Sequence, residues 1–116
     1  MLAGKYNIVC DQGSSFTRTL EIKTAEGTVF SLTGYTARME VRRTLDASTT
    51  IVSLTTTNGR ISINGSTGVI TLTLTAVETA ALTQSGVYDL EIVKTATGEV
   101  FKVVRGEFKL EKEVSR

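Results

Sequence analysis

At 116 residues, 41% of them hydrophobic, the chain is sized for one core that closes without a stapling metal or disulfide. Its 13 basic and 12 acidic side chains, net +1, are interspersed along the sequence, which excludes the basic stripe of a nucleic-acid-binding protein. Histidine, tryptophan and proline are absent, which removes the commonest general base and metal ligand, whereas 20 threonines supply a β-branched residue suited to strand faces.

Residues 6–10 alternate weakly and meet Asp11, Gln12 and Gly13, a polar break that reads as a turn. Over residues 16–23, Phe16, Leu20 and Ile22 share one face while Thr17, Thr19 and Glu21 share the other, the period of a strand. Ala25, Glu26, Gly27 and Thr28 suit a hairpin connection into a short return strand at Val29 and Phe30, which stops at Thr33 and Gly34. Residues 35–43 alternate most regularly in this half. There Ala37, Met39 and Val41 form a buried side, and Arg38, Glu40 and Arg42 a wet one.

Residues 45–50 lack a period and read as a surface loop. A short strand at 51–55 precedes Asn58 and Gly59, a pair suited to a type I′ turn because both residues can take positive φ. A brief strand at 61–63 leads through the glycine-punctuated stretch 64–68 into the strand 69–75, where Ile70, Leu72 and Leu74 oppose Thr71, Thr73 and Thr75. Thr75 and Glu78 then have the spacing of a capping box, so the sequence predicts one short helical turn near residues 76–82. Beyond it Tyr88, Leu90 and Ile92 alternate with Asp89, Glu91 and Val93, and Thr97 and Gly98 turn the chain into a strand at 100–105. Gly106 is expected to mark a bulge or bend before Phe108 and Leu110 resume the rhythm. The charged tail 111–116 should fray unless a partner holds it.

Eight or nine short strands separated by frequent turns predict an all-β chain: an antiparallel β-sandwich occupying residues 1–116 as a single domain. The stretch 68–90 resembles the E to F corner of immunoglobulin-type sandwiches, with Tyr88 as the corner tyrosine whose hydroxyl bonds back across the corner. Leu90 stands where antibody domains carry a disulfide cysteine, so the resemblance is one of architecture: an immunoglobulin-like sandwich, with another antiparallel sandwich or small barrel as the alternative.

Catalytic chemistry finds little to work with. Asp89 and Glu91 lie two apart on one strand and therefore on one solvent-facing side, which suits strand-face charges better than a glycosidase pair. Arg38, Arg42 and Arg43 form a local basic excess with Glu40 inside it, read as a solvated face or protein contact. No catalytic, cofactor-binding or metal-ligating residues are assigned, no cofactor is expected, and the chain is read as not an enzyme. The lone Cys10 cannot make an internal disulfide and fits a reducing compartment. No apolar run approaches the ~18 residues of a membrane span, and the first six residues lack the apolar stretch of a signal peptide.

The succession Tyr6, Ile8, Asp11, Gln12, Gly13 and Phe16, then LTGYTARM at 32–39, ITLTLTAVETAAL at 70–82, Gly86 with Tyr88, Asp89 and Leu90, and finally Glu113, Val114, Ser115 and Arg116, is similar to small structural proteins of tailed phages. It also resembles the amino-terminal modules of some phage baseplate proteins that anchor receptor-binding parts. The resemblance implies a β-sandwich virion component present in several copies, assembled in the host cytoplasm and docked to other virion proteins, with no nucleic acid or membrane partner. It implies a tail, baseplate or neck adaptor, with a head decoration protein as the alternative. A carbohydrate-binding or adhesion sandwich is a third reading, weakened by the lack of tryptophan for stacking on sugars. Unpaired strand edges are the expected docking surfaces, with 6–10 and 107–111 as candidates and the ends of the chain, residues 1–5 and 111–116, as removable attachments.

Overall fold

Alternation of apolar residues with threonine or charge gives each strand one face to bury, and the buried faces meet as two sheets. The structure, a computed structural model, describes residues 4–114. Within them the order is β1 (Gly4–Lys5), β2 (Ile8–Asp11), β3 (Phe16–Glu21), β4 (Tyr35–Arg42), β5 (Val52–Thr55), β6 (Ile61–Asn64), β7 (Val69–Leu74), α1 (Ala76–Ala80), β8 (Gly86–Lys94) and β9 (Val100–Glu111). The larger sheet runs β5-β4-β8-β9, with β1 and β2 both laid along the far side of β9, and the smaller sheet runs β3-β7-β6. Pairing is antiparallel throughout both sheets except where β1 and β2 lie parallel to β9.

The expected β-sandwich is therefore present, with one parallel edge added. Ile8, Cys10, Phe16, Met39, Leu54, Ile70, Leu72, Leu90, Ile92 and Phe108 meet in one contiguous core. Phe16 and Phe108 bring the two sheets together at its centre, with ring centroids 6.2 Å apart. Fully burying a side chain of this size contributes about 1.5 to 3 kcal/mol. Tyr35 closes the opposite end, its ring packed edge-on to Phe30 at 5.8 Å.

Three local expectations are corrected. Val29 and Phe30 form no return strand: only an isolated bridge joins Lys23 to Val29, because Phe30 is drawn against Tyr35. The turn at Asn58 and Gly59 is not type I′, since Gly59 takes a positive φ and Asn58 does not. Instead Asn58 Oδ1 accepts from the amides of both Thr55 and Arg60, fixing the loop through its side chain. The bulge of β9 lies at Val103, between the pairs Leu90–Val104 and Glu91–Lys102, so that Val103 and Val104 both point inward. Gly106 is in regular register with Tyr88 and serves a different purpose, described below.

The short helix is a clasp. Its capping box forms as expected, with Glu78 N donating to Thr75 Oγ1 (3.1 Å) and Thr75 N donating to Glu78 Oε1 (2.8 Å). Glu78 is also held by Arg60, and the Thr75 amide together with Arg60 keeps its carboxyl below the usual carboxylate range. Thr79, fully buried, donates its hydroxyl to the carbonyl of Ser14 (2.8 Å) and accepts the amide of Gly13 (3.0 Å). The turn between β2 and β3, where Gly13 adopts a φ of 84°, is thereby tied to the corner between β7 and β8. Gln12 extends the same clasp: its Nε2 donates to the Leu82 carbonyl and its Oε1 accepts the Glu113 amide, each at 2.8 Å.

The tail is thus not wholly loose. Glu111 ends β9 paired with Asp11, and Glu113 is held by Gln12, while Val114 is exposed and Ser115 and Arg116 lie outside the described residues. Thr79→Val keeps the shape of the side chain and deletes its hydroxyl, leaving the part-buried Gly13 amide and Ser14 carbonyl bonds unmade. It should lower the free energy of unfolding by about 1 to 3 kcal/mol in urea titration while the far-ultraviolet spectrum stays unchanged.

Candidate functional site

The outward face of the larger sheet carries a cluster of charges, Arg38, Glu40, Arg42, Asp89, Glu91 and Lys102. Asp89 and Glu91 do project from one side of β8, as the sequence implies, and each is occupied by a cation from a neighbouring strand. Lys102 Nζ lies 3.1 Å from Asp89, and Arg38 Nε lies 2.8 Å from Glu91. Arg42 is divided between Glu40, at 3.2 Å, and the carbonyl of Ala47, at 2.9 Å. Arg43 stands exposed just beyond the end of β4 and does not join this lattice. Such surface pairs contribute ~0 to 1 kcal/mol each, and their main effect is to fix cross-strand register and keep the face wet. No group of three or more potential metal ligands comes together among the described residues.

Tyr88 is buried, as a corner tyrosine should be, but its hydroxyl does not return to the corner between β7 and β8. It donates to the carbonyl of Tyr6, in the short break between β1 and β2. That carbonyl occupies the space a side chain at position 106 would need: a Cβ there would lie 2.2 Å from it. Asn7 completes the join, its Oδ1 accepting the amide of Glu107 (3.0 Å) where the main chain of the first strand departs from the ladder. Sequence alone offers no sign that Tyr6 meets Tyr88 and Gly106, because 82 positions separate it from Tyr88, which lies opposite Gly106 in the β8–β9 pair.

This sheet order, with the first strand parallel to the last and a buried tyrosine on β8, decides the architecture. The fold is immunoglobulin-like. Among solved structures the chain is similar to the NK cell receptor Nkp44, described as a triggering partner in natural cytotoxicity, with a TM-score of 0.53 and 17% identity over 96% of this chain and 100% of that one. At that identity the likeness shows the fold alone. No protein-family model and no curated protein sequence matches the chain.

The edges of the sheets are where backbone groups lack strand partners, and most are closed by side chains. Of residues 107–111, a candidate edge from sequence, 108–111 pair with β2 on one side, whereas on the other side β8 reaches only Phe108 and the Leu110 amide donates to Ser85 Oγ. The first strand is a true edge, but the Val9 carbonyl on its open side is taken by Arg18 Nη2 at 2.6 Å. Arg18 belongs to β3 and sits on its inward side, its guanidinium 4.9 Å from the centre of the Phe16 ring, so its stem covers the seam between the sheets. Arg18 also guards its own strand, its Nη1 donating to the Thr17 carbonyl at 3.0 Å, and an inward-pointing charge on an edge strand is a recognised block to unwanted strand pairing. At the opposite side, Asn58 Nδ2 and Arg60 Nη1 both donate to the Ser53 carbonyl, and Asn58 Oδ1 accepts the Thr55 amide, so β5 is capped as well. Sequence reasoning passed over Arg18, Asn58 and Thr79 as functional residues. The one available signal was the charge at position 18 within an apolar face.

Cys10 is buried on the inward side of β2. Burial, reinforced by the neighbouring Asp11 and partly offset by Arg18, pushes its thiol up to about 11. The unfolded thiol ionises near 9.0, so between pH 9 and 11 the unfolded chain releases its proton first and stability falls, whereas below pH 9 the thiol contributes no pH dependence. Melting curves should therefore show a loss of stability beginning near pH 9 that Cys10→Ala reduces, and native protein at pH 8 should resist a thiol-specific reagent until it is unfolded. Tyr88→Phe, which removes the hydroxyl shared with Tyr6, should cost about 1 to 2 kcal/mol by denaturant titration.

Proposed function

We propose that the chain is a non-enzymatic structural subunit of a tailed-phage virion, an adaptor or peripheral component of the tail, baseplate or neck that joins neighbouring proteins through strand edges. The observation that carries this reading is the distribution of satisfied and unsatisfied groups. Glu40, Asp89 and Glu91 on the broad face of the large sheet are each paired with a cation, and Arg18 and Asn58 take backbone groups of β2 and β5, which leaves the outward backbone groups of Thr19 and Glu21 on the small sheet with bonding capacity to spare.

The stretches that resemble phage structural proteins build the scaffold. Residues 32–39 form the turn into β4, residues 70–82 form β7 with its helical clasp, and Gly86 to Leu90 open β8. A receptor such as Nkp44 uses the same architecture, which fits recognition and assembly better than bond-making.

Both attachments expected from sequence need revising, since removing residues 1–5 would take away β1, paired with Val104 and Arg105 of β9. Removing residues 111–116 would strip the end of β9 and the Glu113 contact to Gln12, damaging the fold along with any docking, whereas a cut after Glu113 spares both. Quantitative mass spectrometry of purified particles, with heads and tails separated, should find this chain at a fixed copy number in the tail fraction. Recovery only from particle-free lysate would refute the proposal, and recovery with heads would transfer it to the decoration role.

A further inference from the structure

Two of the chain's three asparagines, Asn58 and Asn64, precede a glycine. Glycine has no Cβ to shield its amide nitrogen or restrict its backbone, so in an unfolded chain that nitrogen readily attacks the carboxamide of the asparagine before it. The fold treats the two pairs differently. Asn64 closes β6 opposite Val69, and because Thr73 N bonds to Arg60 O, alternation along the ladder makes 64 and 69 a hydrogen-bonded pair. Gly65 O accepts the Leu32 amide at 2.9 Å, and a Cβ on Gly65 would lie 2.9 Å from Thr33 Oγ1 and 3.0 Å from Thr33 N. Turning the Gly65 amide toward the Asn64 side chain therefore means breaking the ladder and unpacking Thr33.

Asn58 stands in an exposed turn with none of these restraints on its peptide. Gly59 takes a φ of 81°, a Cβ on it would meet nothing within 4 Å, and among the described residues neither the Asn58 carbonyl nor the Gly59 amide is hydrogen-bonded. The carboxamide is folded back over the Gly59 peptide, because Oδ1 accepts the Arg60 amide two residues on at 3.0 Å. The Thr55 amide donates to the same oxygen, also at 3.0 Å. Both donors point at the atom on which charge gathers when Asn58 Cγ is attacked. Asn64 Oδ1 has one such donor, Ser66 Oγ at 3.1 Å. The remaining bond of Asn58, from Nδ2 to the Ser53 carbonyl at 3.0 Å, is exposed and holds the group that leaves.

The geometry points to Asn58 as a spontaneous modification site, converted to aspartate and isoaspartate by cyclisation onto Gly59 while Asn64 is spared. Hydroxide takes the Gly59 amide proton, the nitrogen bonds to Asn58 Cγ, and the Cγ–Nδ2 bond breaks to release ammonia, which takes its proton from water. Water then opens the imide. Cleavage at Cγ gives aspartate, and cleavage at the main-chain carbonyl gives isoaspartate, whose backbone runs through Cβ and Cγ. The reaction needs only water and holds whether or not the chain belongs to a particle.

The product changes the edge strand β5. Aspartate keeps Oδ1 for the Thr55 and Arg60 amides but turns an acceptor toward the Ser53 carbonyl, which retains only Arg60 Nη1 at 2.9 Å. Isoaspartate draws the side-chain acceptor into the main chain, so the Thr55 amide loses its cap and the edge is opened to strand pairing.

Folded protein kept in buffer below pH 9, where Cys10 does not weaken the fold, should be mapped by peptide mass spectrometry over time. Asn58 should convert at least about tenfold faster than Asn64, the factor set by the ladder bonds that Asn64 must break, and in urea the two should convert at comparable rates. In the chromatographically separated isoaspartate form the Thr55 amide should exchange with deuterium at least about tenfold faster than in fresh protein, whereas Asn58→Asp should leave it protected. Conversion at Asn64 that matches or outruns Asn58 in folded protein would overturn the assignment, as would folded protein in which neither site changes. A preference for Asn58 that persists undiminished in urea would overturn it too, since the fold would not then be its cause. An unchanged Thr55 amide in the isoaspartate form would remove the effect on β5.

Discussion

The architecture depends on the first strand being held against the last. Parallel neighbours cannot be joined by a tight turn, so β1 and β2 reach β9 only because the whole sandwich intervenes between them. Three side-chain events hold the join. The Tyr6 carbonyl enters the space left by the missing side chain of Gly106, Tyr88 supplies it with a hydroxyl from β8, and Asn7 takes over the ladder where the main chain breaks. A side chain at position 106 would eject the carbonyl and break the join midway between the β1 and β2 ladders on β9.

Around that join, polar groups are satisfied locally. Thr79 and Gln12 knot the turn after β2, the helical corner and the end of β9 into one cluster, so the two ends of the described chain and the middle of its sequence report to the same place. None of the buried side-chain nitrogen and oxygen atoms described lacks a hydrogen-bond partner. The two outer faces divide the remaining work. The large sheet shows paired charges, while the small sheet shows threonines aligned across strands, Thr17 opposite Thr73 and Thr19 opposite Thr71. A paired charged face stays hydrated, and a neutral threonine face with an open edge is the easier one to desolvate against another sheet.

An immunoglobulin-like sandwich is a scaffold on which recognition is added at faces, loops or edges, and here the edges carry the distinction. Arg18 and Asn58 act as substitutes for missing strands: each places side-chain donors or acceptors where a neighbour's backbone would otherwise bind.

The sequence by itself determined most of the strands, the helical cap at Thr75 and Glu78, and the side on which most strand residues lie, because those follow from a two-residue period and a four-residue motif that are local by nature. It also placed Tyr88 inside and Asp89 with Glu91 outside. Tertiary structure decided what local rules cannot reach. It showed that Tyr88 serves Tyr6, that the bulge falls at Val103 with both adjacent valines buried, that Val29 and Phe30 give up strand pairing for a contact with Tyr35, and that β2 lies along residues 108–111. Each of those outcomes joins residues distant in the chain or in competition for one space, and alternation along a strand carries no record of which other strand will lie beside it.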